Sequence, residues 1–313
     1  MKTLSRALVT GGAGFIGSHL VEALVDDGVQ VTVLDNFSTG HRSNLDPVKE
    51  KITIVEGDIR DRDLLEQVTR SCDVVFHQAA VVSVALSVSD PDFSCEVNDL
   101  GTVRVLDACR KNKVRRVVVA SSSAVYGDSP DLPKTEAMPP CPLSPYAVQK
   151  LAGEYYAAVF GALYGLETVF LRYFNVYGPR QDPSSPYSGV ISIFMSRAVS
   201  NQGPTIYGDG GQTRDFVYVK DVVRANLLAA TRNAAAGRVF NVGTGTAIRI
   251  LDLWDMIREL SAATAEPIFA PPRSGDIRES CSDIHALAND LDFRPAVPLR
   301  QGLADTLAWY RSA

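Results

Sequence analysis

Tyr146 and Lys150 stand four residues apart in Ser144-Pro145-Tyr146-Ala147-Val148-Gln149-Lys150. A helix would set them one turn apart on one face. An ammonium beside a phenol stabilises the phenolate and lowers the tyrosine pKa. A phenol tuned toward neutral pH can take the proton of a substrate hydroxyl while hydride leaves the carbon. Upstream, Ala120-Ser121-Ser122-Ser123-Ala124-Val125-Tyr126-Gly127 ends an apolar run in hydroxyls. A serine there can hold the same substrate hydroxyl or relay its proton. The spacing alone would equally suit an exposed aromatic–lysine pair, so its weight comes from what opens the chain.

That opening is a glycine loop, Gly11-Gly12-Ala13-Gly14-Phe15-Ile16-Gly17, directly after Ala7-Leu8-Val9-Thr10. A Cβ at Gly11 or Gly14 would keep a pyrophosphate from the backbone N–H groups of a helix N-terminus, and Gly17 permits close helix–sheet packing. The spacing is G-x-x-G-x-x-G rather than G-x-G-x-x-G. Asp35, closing the second apolar run, can accept from the adenosine ribose hydroxyls and would repel the phosphate of NADP, so NAD is favoured. Asp58 is placed either to meet the adenine or to cap a helix starting at Arg60. Loop, carboxylate, serines and Tyr146/Lys150 together imply hydride chemistry on an enzyme-bound dinucleotide.

These groups must be positioned by a sheet. Apolar runs at 7–10, 31–34, 52–55, 74–77, 117–120 and 168–171 are mostly continuous rather than alternating, as strands buried on both faces of a parallel sheet require. Helical stretches at 16–26, 60–69, 91–111 and 146–164 lie between them. The alternation specifies an α/β fold, a doubly wound parallel-sheet Rossmann domain with its crevice at the carboxyl ends of the strands. Past Tyr173 the texture changes, and helices are expected at 190–200, 221–232, 250–262 and 299–309. Residues 1–174 read as the NAD-binding domain, and 175–313 mainly as a smaller α/β substrate-binding domain. Segments near 215–245, including a strand at 238–242, return to the first.

Composition excludes several classes. Charged residues make up 21% and the net charge is −5, so nothing draws the chain to nucleic acid or an anionic membrane. The basic cluster at 110–116 falls where a helix ends, complementing its dipole. Five scattered cysteines, without a C-x-x-C pair, indicate reduced thiols rather than disulfides or a zinc site. No apolar run approaches the roughly 20 residues that span a bilayer. A cytoplasmic protein without metal is expected.

Across these motifs the chain resembles the UDP-sugar 4-epimerases of the extended short-chain dehydrogenase/reductase family, most of all the UDP-N-acetylglucosamine 4-epimerases. The resemblance runs from Gly11 to about Tyr310 and rests also on His77-Gln78-Ala79-Ala80, Arg172-Tyr173-Phe174-Asn175-Val176-Tyr177-Gly178-Pro179, Arg214-Asp215-Phe216-Val217-Tyr218-Val219 and Arg273-Ser274-Gly275-Asp276. It implies Tyr146 as the base and Lys150 as its tuning partner and nicotinamide-ribose ligand. Ser122 is preferred as the catalytic serine, counting back from Tyr126-Gly127; Ser121, favoured by the interval to Tyr146, stays beside it. The glycine loop with Phe15 and Ile16 would take the pyrophosphate. Asp35, Asn36 and the Ser38-Thr39-Gly40 turn would hold the adenosine. Asp58, Ile59, Gln78, Ala79, Ala80, Asn98 and Tyr173 would line the rest of the dinucleotide.

On the substrate side the resemblance implies a UDP-sugar. Arg214 and Arg273 would clamp its diphosphate, since a guanidinium fork matches two phosphate oxygens. Asn175 would bond the sugar-phosphate region, Tyr207 would stack on uracil beside Val190 and Ile191, and Ser83 and Asp276 would complete the site. Seven positions after Arg273, Ser280 stands where a tyrosine restricts the family's pocket and a small side chain admits an acetamido group, favouring UDP-GlcNAc and UDP-GalNAc. The alternatives are UDP-glucose/UDP-galactose or UDP-glucuronate epimerisation, and a catalytically silent NAD-binding regulator. Dehydratases carry an Asp-Glu pair where this chain has Ser123-Ala124, and a decarboxylase would need a glutamate there. A homodimer through a four-helix bundle of 91–111 and 146–164 is implied as well.

Overall fold

A computed structural model describes residues 4–182, 189–272 and 277–312. Seven parallel strands form its central sheet: β1 (Arg6–Thr10), β2 (Gln30–Asp35), β3 (Ile52–Glu56), β4 (Val74–His77), β5 (Arg116–Ser122), β6 (Glu167–Tyr173) and β10 (Arg238–Val242). Their order is β3-β2-β1-β4-β5-β6-β10, so the winding reverses between β1 and β4. Three short strands, β7 (Asn175–Tyr177), β9 (Thr213–Tyr218) and β11 (Ala247–Arg249), form a second sheet. β8 (Thr205–Tyr207) and β12 (Ile268–Ala270) form a third.

The valine-rich strands have apolar side chains on both faces because each face is covered. Helices Phe15–Asp26, Val219–Thr231 and His285–Leu291 bury Leu20, Leu24, Val222 and Leu287 on one side. Helices Arg62–Val68, Gly101–Lys111 and Pro145–Tyr164 bury Leu65, Val105, Leu106 and Ala157 on the other. A separate core around Phe194, Trp254, Ile257 and Leu303 supports the smaller sheets. The 238–242 run does return to the main sheet, pairing with β6.

Two helices depart from expectation for local reasons. The stretch 91–111 is helical throughout but contains a wide π turn, Glu96–Leu100, between Pro91–Cys95 and Gly101–Lys111. That turn brings Asn98 inward, where its amide brackets the backbone of Val81 and donates to Gln149 Oε1 at 2.8 Å. The helix expected from Arg60 begins at Arg62, because Asp61 caps it by accepting from the Leu64 N–H. A short helix, Val84–Ser89, that the apolar pattern concealed is capped by Ser83.

The glycine turn after β1 is tied to β2. Gly11 has φ +69°, and a Cβ there would lie 2.7 Å from the Ala79 nitrogen. A Cβ on Gly17 would lie 2.1 Å from the Gly11 carbonyl oxygen. Asp35 stitches the turn: its carboxylate accepts from the Ala13 N–H at 2.9 Å and the Phe37 N–H at 2.8 Å. Asp35→Ala strips both donors of their acceptor and should cost about 1–3 kcal/mol. Asp35→Asn, keeping one acceptor oxygen, should lose less. Urea denaturation without added nucleotide checks this, and an alanine variant of unchanged stability would show that the turn stands without the carboxylate.

Candidate active site

The helix carrying Tyr146 starts where the sequence dictates. Ser144 caps it, accepting from the Ala147 N–H at 3.2 Å, and Pro145 fills the first helical position. Tyr146 thereby sits in the first turn, its N–H donating to Ser87 Oγ at 3.1 Å. Its phenol faces the Ser122 side chain at the end of β5, where Ser122 Oγ accepts from the Ala124 N–H at 3.1 Å. Lys150, one turn on, donates to the Ala120 carbonyl at 2.9 Å, with Nζ 5.9 Å from the Tyr146 ring centre. The neighbouring Ser121 turns the other way and donates to Glu154 Oε1 at 2.5 Å. The structure thus brings Ser122, Tyr146 and Lys150 together and sets Ser121 in a separate buried network.

The electrostatics differ from the simple ammonium–phenol picture. Burial raises the Tyr146 pKa above its ordinary value, and the neighbouring Ser122 hydroxyl, rather than Lys150, opposes that rise. Burial also brings Lys150 down to about 8, with Asp99 pulling the other way. Beneath it, His77 is pushed down to about 3 by burial and then by Lys150. Its ring joins Thr10 and Thr102 at 2.8 and 3.1 Å. The phenol therefore has a cationic neighbour and a neutral imidazole nearby at pH 7.

Beside this cluster opens the crevice between β1 and β4. Helix Phe15–Asp26 begins on Gly14 with no side chain capping its first turn, which suits a diphosphate at a helix N-terminus. Phe15 and Ile16 form its first residues. Asn36 accepts from the Ser38 N–H and donates to Asp58, both at 3.0 Å. The Ser38-Thr39-Gly40 turn packs on the glycine loop, where a Gly40 Cβ would approach Ala13 to 3.0 Å. Asp58 is not a helix cap: Arg60 holds it in a bonded ion pair and brings its pKa down to about 2. Ala79 and Ala80 follow β4 at the crevice wall. Several other residues expected at the cofactor also have partners within the protein. Ile59 packs in the core against Gly101, Asn98 holds Val81, and Tyr173 and Gln78 share Asn226.

The expected sugar-nucleotide residues lie over the strand ends. Asn175 opens β7 opposite Phe216, and Arg214 lies on β9 with Nη1 donating to the Thr213 carbonyl. Tyr207, at the end of β8, lines a cavity of about 330 Å³ with Gly208, Asp209, Gln212, Pro272, Ile277 and Arg278. Val190 is partly open at the start of helix Val190–Val199, whereas Ile191 is buried in the core beneath. Ser83 is occupied as a helix cap, accepting from the Leu86 N–H. Ser280 N–H donates to the Thr213 carbonyl at 3.2 Å, setting its segment beside β9. Arg273 and Asp276 lie outside the described residues.

Two organising residues escaped the sequence reading. Asp215 accepts from Thr244 N–H and Oγ1, Gly245 N–H, and Ser282 N–H and Oγ at 2.5–3.1 Å. It ties β9 to the turn after β10 and to the Ser280 segment. It stands in the Arg214-Asp215-Phe216 motif, where attention to the arginine's charge concealed the acid's role. Glu154, two turns beyond Tyr146 on the same face, was signalled only by that spacing.

Comparison with known proteins places the chain among sugar-nucleotide enzymes. A UDP-glucose 4-epimerase of Mycolicibacterium smegmatis is 43% identical over 311 residues, covering 98% of this chain and 99% of that protein. A UDP-N-acetylglucosamine 4-epimerase from Methanobrevibacter ruminantium, solved with UDP-N-acetylmuramic acid, superposes with a TM-score of 0.95 at 41% identity, covering 100% of this chain and 99% of the other. A UDP-glucose 4-epimerase from Thermus thermophilus, solved with NAD, gives 0.90 at 42% identity over 98% and 99%. The family model describing NAD dependent epimerases and dehydratases matches residues 7–243. That span takes in the seven-stranded sheet from Ala7 to the end of β10, the glycine turn and the Tyr146 helix, and the chain belongs to the NAD dependent epimerase/dehydratase family.

Proposed function

We propose that this protein reversibly epimerises C4 of a UDP-hexose through a transient 4-keto sugar, holding NAD throughout. The observation that carries the reading is the placement of Tyr146 and Lys150 on one face of helix Pro145–Tyr164 against the end of β5, beside the β1/β4 crevice, in a chain of this family. Bound NAD supplies the hydride acceptor and donor that the reaction at C4 requires. The uncapped helix end at Gly14 would take its diphosphate, and Asp35 and Asn36 its adenosine side. Tyr146 removes the proton of the sugar 4-hydroxyl and later returns it, while Ser122 holds that oxygen. Ser122 favours the phenolate against the burial that opposes it, and the positive charge of an oxidised nicotinamide would add to that effect. Arg214, with Arg273, retains the diphosphate while the keto sugar turns its other face. Ser123-Ala124 offers neither acid nor base for eliminating water, which favours epimerisation over dehydration.

Tyr146→Phe should keep the fold and the bound cofactor and lose about 10²–10⁴ in turnover. Near-native turnover of UDP-sugars by that variant would remove Tyr146 from the chemistry.

An N-acetylated substrate is the finer part of this reading. Ser280 is small and partly open beside β9, and the likeness to a UDP-N-acetylglucosamine 4-epimerase supports room for an acetamido group. Ser280→Tyr should abolish turnover of UDP-GalNAc while sparing UDP-Gal. If the tyrosine variant epimerises both at the parent rates, Ser280 does not gate the pocket; a parent that turns over UDP-glucose or UDP-glucuronate alone favours those substrates instead.

The protein is also proposed to act as a homodimer. Val148, Tyr155, Val159 and Leu163 form an exposed apolar stripe along helix Pro145–Tyr164. Phe93 and Leu100 are exposed on the 91–111 helix, and a second copy would cover all six. The free thiols support a reducing, cytoplasmic setting. Leu163→Glu should place a charge in the bundle and shift sedimentation from dimer to monomer. A parent protein that already sediments as a monomer would refute the dimer.

A further inference from the structure

Helix Pro145–Tyr164 and strand β5 are joined by three contacts on successive turns. Tyr146 faces Ser122, Lys150 donates to the Ala120 carbonyl at 2.9 Å, and Glu154 accepts from Ser121 Oγ at 2.5 Å. The last contact is backed by a second strand. Arg172 of β6 donates through Nε and Nη2 to the two oxygens of Glu154 at 2.9 and 2.7 Å. Its Nη1 donates to the Tyr126 phenol oxygen at 2.9 Å, and Tyr126 donates to Asn241 Oδ1 at 2.6 Å. Asn241 donates in turn to the carbonyls of Lys134 and Asp283, the latter in the segment that carries Ser280. Both Glu154 and Arg172 are buried, at 6% and 4% exposure.

A buried ion pair is poor at stabilising a fold, because desolvation offsets its attraction and apolar residues of similar volume often do better. Its directional bonds are better at specifying one arrangement of the elements it joins. Apolar packing between the helix and sheet would tolerate sliding or rotation that displaces a side chain two turns away. The phenol's own partners are Ser122 and the nearby Lys150; Glu154 and Arg172 act on it through the helix and strands they join.

We propose that Glu154 and Arg172 are positioning residues that hold helix Pro145–Tyr164 in register with β5 so that the Tyr146 and Ser122 hydroxyls meet. The proposal rests on the epimerase reading for its consequence in turnover, though not for its geometry. Two readouts test it in the full-length protein with its bound cofactor. One is steady-state kinetics with UDP-sugars. The other is the pH titration of the Tyr146 phenolate, taken as the ultraviolet difference between parent and Tyr146→Phe, with the same subtraction made in the Glu154 variant.

Glu154→Gln should lower kcat on the order of 10²-fold, as misplacement of reacting groups does, with KM little changed. Its phenolate should titrate at higher pH, because the approach of Ser122, which favours the charged form, is loosened. The double variant Glu154→Met/Arg172→Met leaves no unpaired charge and serves as the folded control. A similar loss of kcat there supports the proposal, whereas native kcat and a native phenolate titration, with altered melting temperature alone, overturn it. A parent without epimerase turnover, or a fully active Tyr146→Phe, would sink the epimerase reading instead. The phenolate titration would still decide the positioning role.

Discussion

Parallel strands must each be re-entered from the same end, and the site follows from that constraint. Every crossover in the sheet returns behind it, so all seven carboxyl ends lie along one edge. At that edge β1 gives the glycine turn, β2 the Asp35 carboxylate, β4 the Ala79–Ala80 wall and β5 the paired serines. Where the winding reverses, between β1 and β4, successive crossovers lie on opposite faces and leave a gap that no helix fills. The smaller sheets, β7 with β9 and β11 and β8 with β12, rise over the same edge. A long ligand can lie across the strand ends with its two halves held by different parts of one chain.

Charge within the crevice is arranged by burial as much as by pairing. Lys150 and His77 are both displaced toward their neutral forms, yet only the lysine stays near physiological pH. Tyr146 is displaced upward by the same lack of water. The protein alone thus holds the acid–base pair out of balance, with the phenol too weak an acid. A cation delivered by a bound cofactor would correct this, tying proton removal to the oxidised form.

The sheet was legible because continuous valine runs bounded by glycine and polar turns have few other uses. The helix carrying Tyr146 was legible because Ser144 and Pro145 announce its start. Short strands such as β8 and β12 escaped because three residues carry no periodicity. Site residues divided by what the sequence can and cannot encode. A glycine excluded by sterics, as at Gly11, can be read directly from its spacing. The choice between Ser121 and Ser122 could not, since a strand's alternation turns one to the phenol and the other to Glu154. The protein partners of Asp58, Gln78 and Tyr173, namely Arg60 and Asn226, are matched to them only by folding and could not be read.

The wide turn at Glu96–Leu100 has a further consequence for the helix that contains it. A turn with one residue too many absorbs that residue locally, so the segments on either side keep the phase of an uninterrupted α-helix. Val105, Leu106 and Cys109 consequently stay on the core side although Asn98 has been drawn toward the crevice. An ordinary helix at 100° per residue, by about the geometry of 3.6 residues per turn, would have to trade one for the other. The polar clamp is therefore accommodated without re-phasing either flank. The number of residues in this helix is set by the crevice, while its hydrophobic pattern is set by the sheet.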